Sequence, residues 1–343
     1  MSSTRSYDFG ALVPGVGVFG GVRRFIEVGN ELTRRGHRYT LYHSTGEPPD
    51  WIPYAGETRP LDALAGASHD VLITNDPTLF GRFRDTPAPL KLFYFAGKRI
   101  ANERNIVRSD WTIVANSENM HRYLRRRYRI DADRAVGGIN LETFRPRDVS
   151  RDDDVFRIAT FGRTSRRSKG VPIVLRAVER FARQFEKRGG TMRARSAQLV
   201  LFDHVGAGHE ADPSKNFRCD VSSEWHLNLS QPDLARLYAS CDLFINAEKR
   251  GGWANTVIEA MACGVPVVCT RSGTLDVAFH DRTAWVARFR HPWFLKRGMD
   301  AIAYDPQRAA RLRNRALERV QRFSWPSVVD QLLEVIDRRF TPC

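Results

Sequence analysis

Lysine is scarce in this chain: of 54 basic residues among 343, seven are lysine and 47 are arginine. A GC-rich genome produces that bias by itself, so the net charge of +15 does not identify an anionic partner. The excess is also spread out. Residues 1–150 carry 22 basic and 17 acidic side chains, and the remainder carries 32 and 22. No RNA-recognition, zinc-finger or other nucleic-acid motif accompanies it, so generic surface charge is preferred over nucleic-acid binding.

Cysteine is also little used. The five cysteines are odd in number and form no Cys-x-x-Cys pair, which argues against a disulfide framework and against a zinc site. Cys263 and Cys269 read as small core residues in a reducing compartment. Long apolar runs are missing too. The nearly apolar stretch from Val257 to Cys269 is too short to span a bilayer and is broken by Gly264 and Pro266. Residues Phe9 to Val22 follow Arg5 and imitate a signal peptide, but they contain Pro14 and five glycines. No small-x-small cleavage site precedes Arg23-Arg24, so the signal is rejected and a cytoplasmic location is the default expectation.

What remains is an ordinary globular composition, with 42% apolar and 27% charged residues and length for two domains. Short apolar runs alternate with helical periodicity. Strands are predicted at Asp8–Val13, Tyr39–Tyr42, Val71–Thr74, Leu90–Phe95 and Trp111–Ala115. A helix is predicted from Val22 to Arg35, ended by Gly36, and another from the cap Ser117 to Arg127. After a polar stretch from Arg145 to Asp154 the pattern restarts. Strands are expected at Phe156–Phe161, Gln198–Phe202, Leu243–Asn246 and Val265–Cys269, with a helix at Val171–Lys187. The tail from Arg308 to Phe340 reads as helical, interrupted at Ser324-Trp325-Pro326. Alternating β and α segments with short apolar strands predict an α/β protein of two Rossmann-like, doubly wound parallel-sheet domains facing a central cleft. The expected divisions are 1–148, 149–323 and a C-terminal helix at 324–343 that crosses back to the first domain.

Ligands of open parallel sheets bind beyond the carboxyl ends of the strands, which directs attention to three loops. The first is Pro14–Val22, where Gly15, Gly17, Gly20 and Gly21 lead into a helix whose N-terminus favours an anion. No acidic residue ends the second strand near Tyr42, so a nicotinamide-binding reading is weak. Such a turn is as often structural as functional. The second is Phe161–Gly170, where Gly162 precedes Arg163 and four cationic side chains cluster at a strand end. Arg163 and Lys169 adjoin the strand and the helix and suit a diphosphate. Arg166 and Arg167 read as solvated. The third is Asn246–Thr270. Asn255 and Thr256 open a helix with N–H groups that suit a phosphate, following Trp253 and Ala254. Glu259 lies one turn on, amid Val257, Ile258, Ala260 and Met261. A buried carboxylate requires a partner, and an ion pair with an arginine is the structural alternative to a ligand.

Together these segments carry a resemblance. Ile258-Glu-Ala-Met-Ala-Cys-Gly-Val-Pro-Val-Val268 is similar to the signature of retaining glycosyltransferases of family 4, whose fold is GT-B. The segments Gly20–His37, Ala115–Glu118, Gly137–Pro146, Phe161–Gly170 and Phe323–Trp325 resemble further motifs of that family in the same order. The resemblance implies a hexosyltransferase that uses a nucleotide sugar, GDP- or UDP-hexose, with no other cofactor and no metal. Its acceptor would be a hydroxyl of a saccharide, a lipid-linked molecule or a small molecule. It implies that Glu259 holds the ribose hydroxyls, that Arg163 and Lys169 bind the diphosphate, and that Gly20-Gly21 approaches the phosphate from the other domain. The first domain becomes the acceptor side and the second the nucleotide-sugar side. Retention is then described as front-face attack, the leaving phosphate accepting the proton.

The sequence departs from the family pattern at two places. A glutamate is usual eight positions before the one matching Glu259, and here that position is Gly251. Glu248, with Lys249-Arg250 inserted, reaches for the same space, or the Gly252-Trp253-Ala254 backbone supplies the contact. Where relatives carry a histidine after the fourth strand, this chain has Phe95-Ala-Gly-Lys98. His37 and His204 read as ordinary polar or packing residues. Asp152-Asp153-Asp154 contains a D-x-D but reads as a solvated linker run. The helix at 117–128 carries Arg122, Arg125, Arg126 and Arg127 beside an apolar side. Packing on its own sheet is preferred over peripheral association with the inner face of an anionic membrane, which stays open. Three rivals to transfer also stay open: a degenerate protein that binds a nucleotide sugar without transfer, a basic nucleic-acid-binding protein, and an epimerase or phosphorylase on the same fold.

Overall fold

The computed structural model describes residues 5–18, 20–150, 154–191, 194–205, 212–215 and 217–340. Asp152 and Asp153 of the D-x-D run fall outside these. The chain divides into two compact units, one formed by residues up to Gly138 together with those from Phe323 onward, the other by Ile139–Arg322.

In the first unit the strands are β1 (Asp8–Leu12), β2 (Arg38–His43), β3 (Glu57–Pro60), β4 (Val71–Thr74), β5 (Leu90–Phe95), β6 (Thr112–Ala115) and β7 (Asp133–Arg134). They form one sheet in the order β3-β2-β1-β4-β5-β6-β7, and every pairing is parallel. The order reverses between β1 and β4, so the loop leaving β1 lies at a topological switch point. The apolar runs are buried on both faces because helices cover both. Phe9, Leu41 and Ile73 pack in one cluster with the helix Gly20–Arg34 and with Trp325, Val328, Leu332 and Ile336 of the last helix, Trp325–Phe340. Leu12, Tyr42, Leu72 and Phe93 point to the other face, against Met120 and Leu124 of the helix Glu118–Tyr128. Ser117 caps that helix, its hydroxyl accepting from Met120 N at 3.2 Å.

In the second unit the strands are β8 (Val155–Phe161), β9 (Ser196–Asp203), β10 (Ser223–Leu227), β11 (Leu243–Asn246), β12 (Val267–Cys269) and β13 (Trp285–Val286). The order is β10-β9-β8-β11-β12-β13, again wholly parallel, and it reverses between β8 and β11. The helices Val171–Lys187 and Pro292–Ala303 cover one face through Val174, Val178, Phe181, Leu295 and Met299. Cys241, Cys263 and Cys269 are buried free thiols. Burial pushes Cys241 up to about 11 and Cys269 up to about 12, so they serve as small core residues. No helix among the described residues is long and apolar enough to cross a membrane.

Several sequence boundaries shift by one or two residues. The first helix begins at Gly20 rather than Val22, and the strand expected from Val265 begins at Val267. Val265 N instead donates to the Ala260 carbonyl at 3.0 Å, closing the preceding helix in the turn made by Gly264.

Candidate functional site

The site in the second unit is built from the loops leaving β8 and β11, the two strands at its switch point. Register brings the end of β8 beside the end of β9: Phe161 pairs with Phe202, and Gly162 N donates to the Phe202 carbonyl at 2.8 Å. Arg163 therefore emerges beside Asp203. Its Nε and Nη2 donate to Asp203 Oδ1 at 3.0 and 2.8 Å, and Nη2 donates to the His204 carbonyl at 2.9 Å. Both side chains are buried. Arg163 thus stands in a charge-assisted, geometrically fixed pair. His204 contributes its carbonyl to Arg163, and its N–H donates to Asp203 Oδ1 at 2.7 Å. A Cβ on Gly162 would fall 2.5 Å from the Trp225 ring, so this glycine makes room for an aromatic side chain of β10.

The loop continues to Lys169, whose Nζ lies 2.7 Å from Glu248 Oε1 beyond the end of β11. Gly170 allows this approach. Its φ is +79°, and a Cβ there would fall 2.3 Å from the Ala247 carbonyl oxygen. Lys249 N donates to the Ser168 carbonyl at 2.8 Å. Arg290 completes the clamp, donating from Nε to the Ala247 carbonyl at 2.6 Å and from Nη2 to the Arg167 carbonyl at 3.2 Å. Desolvation pulls its pKa below the usual arginine range. Arg163 and Lys169 share one aromatic neighbour, with Arg163 Cζ 5.4 Å and Lys169 Nζ 5.7 Å from the Phe161 ring centroid.

Glu248 is held as firmly as Lys169. Its N–H donates to Asn246 Oδ1 at 3.0 Å and its carbonyl accepts from Thr270 Oγ1 at 2.7 Å. A Cβ built on Gly251 would lie 3.1 Å from Glu248 Cδ and 3.3 Å from Oε2. The carboxylate that the sequence offers at 248 therefore sits beside the position where the glutamate is missing. Gly251 N donates to Ser272 Oγ at 2.8 Å, and Ala254 N to the Gly273 carbonyl at 3.0 Å. These bonds fix Trp253 and Ala254, both buried, at the entrance to the helix Asn255–Ala262.

The start of that helix differs in one respect from the sequence reading. Asn255 N–H is not free: it donates to the Trp253 carbonyl at 3.2 Å. Thr256 N–H comes next, where the helix has no carbonyl to offer it. One turn on, Glu259 is 2% exposed and accepts from the Tyr238 hydroxyl at 3.2 Å. A tyrosine from the helix Gln231–Ala239 thus holds its carboxylate.

In the first unit, Gly20 and Gly21 open a helix beyond β1. A Cβ on Gly21 would fall 2.8 Å from Asn75 Nδ2, just past β4, so a side chain there would displace Asn75 across the switch point. Val13 N donates to the Tyr42 carbonyl at 3.0 Å, and Trp51 Nε1 to the Val16 carbonyl at 2.6 Å. Lys98 lies 5.8 Å from the Tyr123 ring centroid, and burial lowers its pKa. Among the described residues no group of three His, Cys, Asp or Glu side chains is placed to hold a metal ion.

Residues 155–300 match the model of the family "Glycosyl transferases group 1". This segment of the second unit is similar to the group 1 glycosyl transferases. The D-inositol 3-phosphate glycosyltransferase of Saccharomonospora viridis is 29% identical over 269 residues, which cover 73% of this chain and 59% of that relative. The namesake from Segniliparus rotundus is 26% identical, covering 89% and 67%. This chain therefore spans under two thirds of the first relative. Among solved structures, sucrose-phosphate synthase from Thermosynechococcus elongatus superposes with a TM-score of 0.75 at 17% identity, covering 97% of this chain and 99% of that one. The Anabaena protein HepE in complex with UDP-glucose does so at 0.76 and 13%, covering 97% and 100%. The fold is GT-B.

Against this family pattern, the residues that sequence reasoning missed are Asp203, Tyr238, Arg290 and Asn75. Asp203 and Tyr238 bond to Arg163 and Glu259, Arg290 holds the carbonyls of Ala247 and Arg167, and Asn75 lies beside Gly21. The matching signal would have been strand register, which places the ends of β8, β9 and β11 side by side.

Proposed function

We propose that this chain is a hexosyltransferase that moves a sugar from a UDP- or GDP-hexose to a hydroxyl acceptor, with retention and without a metal. The observation that carries the reading is the pairing of opposite chemistries across one switch point. A carboxylate, Glu259, is buried a turn into the helix beyond β11, and two cations, Arg163 and Lys169, stand on the loop beyond β8. A nucleoside diphosphate has hydroxyls at one end and anionic oxygens at the other, and it requires this distribution.

In this reading Glu259, steadied by Tyr238, accepts hydrogen bonds from the ribose hydroxyls. Lys169 and the Thr256 N–H take the diphosphate, and Arg163 adds positive potential from its seat on Asp203. Lys169 is paired with Glu248 before the donor arrives. A diphosphate competes for the ammonium, and Glu248 turns to the sugar hydroxyls in the space that Gly251 leaves. The acceptor oxygen then bonds to the anomeric carbon as the bond to the phosphate oxygen breaks. The acceptor proton passes to the leaving phosphate, and the ammonium of Lys169 stabilises the charge that develops there. In the first unit, the Gly20-Gly21 turn offers helix N-terminal N–H groups to an anion.

Thermal stabilisation by a panel of UDP- and GDP-hexoses, measured with a chelator and with added divalent metal, tests the reading. It predicts stabilisation by a nucleotide sugar that is the same in both conditions. Metal-dependent stabilisation removes the metal-free part, and no stabilisation by any member removes the donor class. The absent glutamate at Gly251 motivates a second reading, of binding without transfer. Release of free nucleoside diphosphate only when an acceptor is present excludes it.

A further inference from the structure

The two most exposed aromatic side chains are not used by the donor site, and arginines stand beside both of them on one surface of the second unit. Phe289 is 55% exposed and Trp293 46%, among the few large apolar side chains left open to solvent. They lie four residues apart, where the loop beyond β13 enters the helix Pro292–Ala303. Each carries a guanidinium: Arg288 Cζ is 5.3 Å from the Phe289 centroid, and Arg297 Cζ is 4.9 Å from that of Trp293. Both rings pack on half-buried Phe294, at 5.1 and 4.8 Å with interplanar angles of 63° and 86°.

The surroundings hold no compensating acid along the chain. From Val286 to Met299 there is no Asp or Glu, and from Gly162 to Val178 there is none either. The two segments meet where Arg290 donates to the Arg167 carbonyl, so the exposed Arg166 and Arg167 extend the same basic rim. The nearest acid on the helix, Asp300, is taken by Lys296 at 2.6 Å.

We propose that the surface formed by Arg288, Phe289, Trp293 and Arg297 docks this chain on an anionic lipid membrane. Aromatic rings that present an apolar edge beside guanidinium groups are suited to the headgroup boundary, where the rings enter and the charges stay with lipid phosphates. A single-stranded nucleic acid would need ring faces open for stacking. Here each ring meets Phe294 in a T-shaped contact and has an arginine over its face. The helix Glu118–Tyr128 does not compete for this role. Met120 and Leu124 are buried on its own sheet, and Arg122 pairs with Glu118 at 2.6 Å. The inference is independent of the transfer reaction.

Co-sedimentation with vesicles of phosphatidylcholine, with and without about one third phosphatidylglycerol, tests it on the full chain. The wild type is expected to bind the anionic vesicles only. The double variants Phe289→Ala/Trp293→Ala and Arg288→Glu/Arg297→Glu should each bind at least about tenfold more weakly, with unchanged melting temperatures and unchanged nucleotide-sugar binding. An Arg125→Glu/Arg126→Glu variant should bind like the wild type. The proposal is overturned if the wild type does not bind anionic vesicles or binds neutral ones equally. Full binding by Phe289→Ala/Trp293→Ala also overturns it, as does a loss confined to Arg125→Glu/Arg126→Glu. Single-stranded RNA binding through these residues without vesicle binding reassigns the surface to nucleic acid.

Discussion

Lys169 Nζ stands 2.7 Å from Glu248 Oε1, so the cation assigned to the diphosphate and the carboxylate assigned to the sugar neutralise each other before a donor binds. The pair is only partly buried, and its loss should cost little stability. Removing Lys169 should cost catalysis far more. Lys169→Ala is expected to lower kcat by at least about 100-fold, the scale of losing one stabilising group in a transition state. Its melting temperature should stay within a few degrees of the wild type. Turnover near the wild-type rate would remove Lys169 from the reaction.

The contact between Glu248 and the empty side of Gly251 makes a sharper test, because two residues then compete for one carboxylate position. Glu248→Ala should lower kcat, and Gly251→Glu alone should also lower it by crowding Glu248, whose Cδ lies 3.1 Å from the added Cβ. The double variant should recover activity above both single variants, a coupling that adjacent residues are able to show. Steady-state rates of the four proteins decide it. A double variant worse than either single one means that Glu248 does not occupy the missing glutamate's place.

Arg163 and Asp203 make the opposite kind of pair, buried and fixed at two points. Asp203→Ala removes the carboxylate from a buried guanidinium, and denaturant unfolding should show a loss of about 3–5 kcal/mol. Asp203→Asn keeps an acceptor and should lose less. Equal stability of Asp203→Ala and wild type would mean that the charge is not held by Asp203.

His43, at the end of β2, is wholly buried, and its Nε2 has no hydrogen-bond partner among the described residues. Burial lowers its pKa below the usual value of 6.5. The unfolded chain therefore takes up this proton at a higher pH than the folded one. The neutral side chain costs nothing above pH of about 6.5, and stability falls as the pH drops below that value. His43→Gln should flatten the acid side of the melting-temperature profile. An unchanged slope would place the pH dependence elsewhere.

Much of this architecture is legible in the sequence because the central strands are short apolar runs closed by glycine or a cap. Phe156–Phe161 and Leu243–Asn246 are examples, buried on both faces. The edge strands are not legible. Glu57–Pro60 is polar, and Asp133–Arg134 and Trp285–Val286 are two residues long. Each pairs on one side only and needs no alternating pattern. In the site, Glu259 and Lys169 stand out by residue type against their neighbours. Their partners do not, since Tyr238 lies 21 residues from Glu259 and Asp203 lies 40 from Arg163. Neither separation has a local signature, and only the order of strands makes them neighbours. Gly162 shows the limit from the other direction. It lies in the segment that resembles a family motif, and its closeness to Trp225 has no signal in the sequence.

The central claim is that a nucleotide sugar binds with its ribose on Glu259. Calorimetric titration of the wild type and Glu259→Ala with the stabilising nucleotide sugar, in the presence of a chelator, tests it most directly. Glu259 accepts from Tyr238 and is 2% exposed, so Glu259→Gln serves as the isosteric control for the fold. The account predicts binding by the wild type and at least about tenfold weaker binding by both variants, the scale of a lost charged hydrogen bond. Wild-type affinity in folded Glu259→Gln and Glu259→Ala would contradict it.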